Sequence, residues 1–110
     1  MRPEIGTTLY YYTIRKGDFT VHKGAVVTDR RGWYRKVAFE TRSDKLVCPD
    51  IYEIGVIQTG GPSIWMFERD DDKAKKMFLE YELGKLALLE DQLAKKKALI
   101  KTLESVGMED

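Results

Sequence analysis

The 110-residue chain has one cysteine, Cys48, and one histidine, His22. A single cysteine excludes an internal disulfide framework and suits a reducing compartment. A single histidine excludes a multi-histidine metal site, and no ligand spacing surrounds it. Asp70-Asp71-Asp72 does not supply one either, because adjacent helical acids point in different directions. Long apolar runs are missing. The opening MRPEIGTTLYYY lacks the core of a signal peptide, and no stretch approaches the length needed to cross a bilayer. No membrane partner and a cytoplasmic location are the expectations. Charge of one sign is not in excess: the net charge of +1 argues against a globally basic nucleic-acid binder. The chain lacks GxSxG, HExxH and GxGxxG, and Gly60-Gly61-Pro62 lacks the lysine and Ser/Thr of a phosphate-binding P-loop. A Cys48–His22 nucleophilic pair has no support from its neighbours. A non-enzymatic protein without cofactor or metal is therefore expected.

What is present is an ordinary mixture for a folded chain, with 43% hydrophobic and 34% charged residues and no low-complexity tract. The length suffices for one domain with a limited core. Leu9–Arg15, Phe19–Thr28, Trp33–Thr41, Leu46–Cys48, Tyr52–Gln58 and Ser63–Glu68 read as short strands. They are rich in β-branched and aromatic residues and separated by Lys16-Gly17-Asp18, Asp29 to Gly32, Arg42 to Asp44 and Thr59 to Pro62. A bulge or bend is expected near Gly24. Five to six strands at this spacing predict a small antiparallel β-barrel or curled sheet over residues 1–69.

Residues 70–110 have a different pattern. Acids cluster at the start, where Asp70 or Asp71 suits a helix N-cap, and no proline follows. Leu79, Leu86, Leu93 and Ile100 recur every seven residues, with Leu89 and Leu103 at the companion position. One long C-terminal helix, giving an α+β protein, is predicted. Ala74, Met77, Phe78 and Tyr81 form an apolar set suited to docking on the sheet. The later leucines suit self-association, so a homo-oligomer is expected. Glu82 and Lys96 share the companion position with Leu89 and Leu103, which disfavours a parallel zipper. Gly84 marks either the end of the docked part or a close contact.

Charge is uneven along the chain. Between Arg15 and Lys45 there are 9 basic and 4 acidic residues. Within that segment DRRGWYRK interleaves Arg30, Arg31, Arg35 and Lys36 with Trp33 and Tyr34. Guanidinium groups offer forked donors to phosphate, and aromatic rings stack on bases. A solvated hairpin turn with one core tryptophan is the plainer alternative. The candidate ligand residues are these six together with Tyr10 and Tyr12 of the tyrosine run, and the candidate ligand is a small phosphorylated, nucleotide-like molecule. A host protein surface is the alternative partner, and weak nucleic-acid binding a further one.

Glu53-Ile54-Gly55 and the run Glu68-Arg69-Asp70-Asp71 with Lys73-Ala74-Lys75 and Phe78 resemble small uncharacterised phage and prophage proteins. These have a β-rich N-terminal part and a coiled-coil-like C-terminal helix. The resemblance covers the second half of the chain and carries no assigned functional residue. It implies a phage-type accessory protein in a host cytoplasm, a class in which counteraction of host defence is common.

Overall fold

The computed structural model describes residues 1–28 and 34–107. Five strands run in the order β1 (Thr8–Arg15), β2 (Asp18–Thr28), β3 (Arg35–Phe39), β4 (Lys45–Val47) and β5 (Ser63–Met66). A 3-10 turn covers Ile51–Glu53, and helix α1 covers Asp71–Gly107. The protein is α+β, as its sequence pattern predicts. All strand pairs are antiparallel, in the order β4-β3-β2-β1-β5, and among the described residues the sheet is open rather than closed into a barrel.

The first hairpin closes in two residues, since Arg15 pairs with Asp18. Lys16 and Gly17 have φ of 50° and 83°. Both central residues are therefore left-handed, the geometry that follows the twist of antiparallel strands. Of the bulge or bend expected near Gly24, the bulge is absent. Gly24 pairs with Leu9 on one side and Phe39 on the other, without a register shift. Its role is close approach: a Cβ at this position would lie 2.6 Å from Val37 Cγ1 and 2.8 Å from the Ala38 carbonyl oxygen.

The strand expected over Tyr52–Gln58 is instead the 3-10 turn followed by two isolated bridges, Ile54 to Trp65 and Gln58 to Ser63. Asp50 accepts from Tyr52 N–H at 3.2 Å and so caps the turn. The bridges protect the outer edge of β5, where Gly55 N–H donates to Trp65 O at 2.7 Å. Edge β4 has only three residues, and a short strand offers little template for further pairing.

Strand alternation sends apolar side chains to both faces of the sheet. Leu9, Val26, Val37, Cys48 and Trp65 form the core on one face, with Tyr11, Phe39, Leu46 and Ile54 packed against them. Tyr11 and Trp65 rings lie 4.5 Å apart. Tyr12, Ile64 and Met66 form the core on the other face with Ala74 and Phe78 of α1. Only β5 is buried along its whole length, which fits its contribution to both cores.

Helix α1 begins on the sheet. Asp70 is its cap: the Asp70 carboxylate accepts from Lys73 N–H at 3.0 Å. The Tyr12 hydroxyl accepts from Asp70 N–H at 2.9 Å and donates to Asp71 Oδ1 at 2.8 Å, which ties the first turn to β1. Met77 packs beside Ala74 and Phe78, as its place in the apolar set predicts. The chain divides into two compact units, Met1–Phe78 and Leu79–Asp110. The division thus falls before Gly84, and a Cβ at Gly84 would meet nothing within 4 Å, so no close contact requires that glycine. In the second unit every residue from Leu79 to Val106 is exposed apart from the half-buried Tyr81. Among the described residues no helix is long and apolar enough to cross a membrane.

Candidate cationic cleft

Arg35 opens β3 and shares a face with Val37, two residues on. Its Nη1 donates to the carbonyl oxygens of Arg2 and Pro3 at 2.9 and 2.8 Å. Arg2 in turn donates from Nη1 to Cys48 O at 2.8 Å. Two guanidinium groups from segments far apart in sequence are thereby held on fixed backbone acceptors, each with further N–H donors. Pro3, Cys48 and Pro49 are buried beneath them. The Cys48 N–H completes the arrangement by donating to Arg35 O at 3.0 Å.

Beside these arginines is a cleft of about 530 Å³ lined by Met1, Arg2, Tyr34 and Arg35. Tyr34 is 64% exposed, so its ring is available on one side of the cleft. Among the described lining residues none is a carboxylate, and the neighbouring Asp50 carboxylate accepts from the Met1 amino group at 2.8 Å. Positive charge close to an exposed aromatic ring is a chemistry that holds a phosphate and stacks a base. The Cys48 thiol sits under the same arginines. Burial pushes its pKa up, while the Arg2 and Arg35 charges oppose that shift. Burial is the larger influence, so the thiol's pKa lies above its ordinary value.

The candidate residues separate into three groups. Tyr34 and Arg35 stand together at the cleft. Arg30, Arg31 and Trp33 lie outside the described residues. The remaining three are displaced from the cleft. Lys36 pairs with Val27 and Val47, and alternation directs it to the sheet face opposite Arg35. Tyr10 and Tyr12 are on that opposite face as well, where Tyr10 is partly buried against the helix-side core. Tyr12 is a correction: it is fully buried, and its hydroxyl is committed to the start of α1, so it cannot stack on a ligand. Arg2 was not signalled by the sequence. It is 33 residues from Arg35 and meets it only through the fold.

No family, characterised protein or solved structure matches this chain. The reading of the cleft therefore rests on its chemistry alone.

Other polar clusters have structural partners. His22 Nδ1 lies 2.6 Å from Thr41 Oγ1. Burial, and next the neighbouring Arg42 charge, lower its pKa, with Asp44 acting in the opposite direction. Arg42 forms a two-pronged pair with Asp44 at 2.8 and 2.6 Å and covers the Tyr11 and Phe39 rings. Cys48 Sγ is directed to Pro49 O, so His22 and Cys48 have separate partners. Of the three adjacent acids, Asp70 is a cap and Asp71 pairs with Arg69 at 3.1 Å. Among the described residues no group of three or more His, Cys, Asp and Glu could hold a metal ion.

Proposed function

We propose that this chain is a non-enzymatic, phage-type accessory protein. It binds and sequesters a small phosphorylated, nucleotide-like ligand as a homo-oligomer and so counteracts a host defence signal. The observation that carries the ligand reading is the cleft, where Arg2 and Arg35 are anchored side by side next to the exposed Tyr34 ring. Arg30 and Arg31 adjoin this cluster in sequence and add cationic charge. The phage and anti-defence parts rest on the resemblance of Glu53-Ile54-Gly55 and of the Glu68-to-Phe78 run.

The test is a thermal-shift panel of cyclic dinucleotides and cyclic ADP-ribose isomers, followed by calorimetric titration. A saturable rise in Tm is expected for at least one ligand. Tyr34→Ala should weaken binding roughly tenfold, the order of one lost stacking contact, and Arg2→Gln should weaken it further. No shift at millimolar ligand would overturn the reading. A stable complex with one host protein, formed without any small ligand, would favour inhibition of a host protein instead. Binding to any DNA or RNA that falls steeply with salt would favour the nucleic-acid alternative.

A further inference from the structure

The second compact unit has an exposed apolar stripe. Leu86, Leu89, Leu93, Ile100 and Leu103 repeat along one side of α1, and each has about half or more of its surface exposed. An isolated helix in water is marginally stable, and helices in proteins gain most of their stability by covering such a stripe. The charge pattern identifies what can cover it. From Leu79 to Asp91, Glu80, Glu82, Glu90 and Asp91 stand against Lys85 alone, a balance of −3. From Gln92 to Val106, Lys95, Lys96, Lys97 and Lys101 stand against Glu104 alone, a balance of +3. Among the described residues one ion pair forms along the helix, Asp91 with Lys95 at an i,i+4 spacing and 3.1 Å. The helix is thus complementary to itself when reversed.

We infer that the helix beyond Phe78 is an antiparallel pairing surface for a second copy of this chain. A parallel pair would bring the acidic halves together and the basic halves together, with Glu82 on Glu82 and Lys96 on Lys96 in the seam. Reversal keeps the like halves apart, and in the register below it sets Lys95 to Lys97 within about a turn of the second copy's Glu90 and Asp91. In antiparallel pairs each first-position residue faces a companion-position residue of the other helix. One such register sets Leu86 against the second copy's Leu103, Leu89 against its Ile100 and Leu93 against its Lys96. That register also brings Glu90 beside the second copy's Lys97, twice by symmetry. A shift of one heptad would set Glu90 against Glu90 instead. Lys96 is accommodated because its methylene stem covers Leu93 while the ammonium reaches water.

This inference rests on the self-association part of the reading above and is independent of the ligand. Native mass spectrometry of the full chain gives the subunit number. Cysteine cross-linking then gives direction, with the buried Cys48 as the only other thiol. Leu103→Cys alone should give little disulfide-linked dimer. A mixture of Leu103→Cys and Leu86→Cys chains should give mainly the mixed dimer. Lys97→Glu should weaken association about tenfold, and adding Glu90→Lys should restore it. A chain that stays monomeric at tens of micromolar would overturn both self-association and this pairing. A dimer in which Leu103→Cys readily cross-links to itself would overturn the direction alone, and failure of the Glu90→Lys rescue would overturn the register.

Discussion

Tyr12 shows most clearly how one residue couples the elements. Its ring fills the helix-side core and its hydroxyl serves two partners at the start of α1. Burial, followed by the bond donated to Asp71, pushes the phenol up to about 12, against the lowering influence of Asp70 N–H. An unfolded tyrosine ionises near 10. Stability from this group is therefore fully present below pH 10 and is lost as pH rises through about 12. Tyr12→Phe should cost about 1–2 kcal/mol at neutral pH, because Asp70 N–H loses its partner. The same variant should show a flatter loss of stability between pH 10 and 12. Urea unfolding across that range measures both effects. Asp71 behaves in the opposite sense: Arg69 first, then Tyr12, holds its carboxyl below the usual range. Its contribution is present above the ordinary carboxylate pKa and fades as pH falls. The sequence offered Tyr10 and Tyr12 as ligand platforms because three adjacent tyrosines place rings on both faces. Which ring meets solvent depends on what covers each face. That is a tertiary fact, invisible in a strand pattern.

At the scale of elements, α1 joins two environments within one continuous helix. Asp71 to Phe78 contributes buried side chains to the sheet unit, whereas the residues from Leu79 onward are exposed. Gly84 lies in the second region with open space around its missing Cβ. Gly84→Ala should therefore stabilise the helix by about 1 kcal/mol, from propensity alone. Circular dichroism on heating should show a higher transition for the helical signal. The heptad spacing, the acidic start and the absence of proline made this helix legible in the sequence almost to the residue. The Tyr52–Gln58 segment was not legible in the same way. Its β-branched residues suit a strand, but the Asp50 cap and the Trp65 carbonyl draw the backbone into a turn and isolated bridges. Local hydrogen-bond partners outweighed propensity there.

At the scale of the molecule, damage to one unit should be separable from damage to the other. Phe78 is 3% exposed in the sheet-unit core. Phe78→Ala should cost about 3–5 kcal/mol by removing a buried ring. Near-ultraviolet circular dichroism, which senses packed aromatics such as Tyr11 and Trp65, should melt at lower temperature. Leu93→Ser removes an exposed residue of the apolar stripe. It should leave that aromatic transition in place while reducing the subunit number in native mass spectrometry. If both variants moved both readouts equally, the division at Phe78 would not be an energetic one. The cleft and the helix stripe lie in different units, so the proposed ligand capture and the proposed self-association can be tested by separate substitutions.

The sequence by itself determined the α+β class, all five strands to within a few residues, and the long helix with its acidic cap. These follow from side-chain periodicity and turn chemistry, which are local. It also placed Tyr34 and Arg35 in a cationic cluster, because charge and aromatic content can be counted. The tertiary structure alone decided that Arg2 joins Arg35, that Lys36 and Tyr10 face away from that pair, and that Tyr12 is a core tyrosine pinning a helix. Each of these depends on chain segments meeting across the sheet, and sheet alternation turns a separation of one residue into opposite faces. The open edges of the sheet were likewise undecided in the sequence, since closing a barrel and capping an edge with isolated bridges call for the same short, alternating strands.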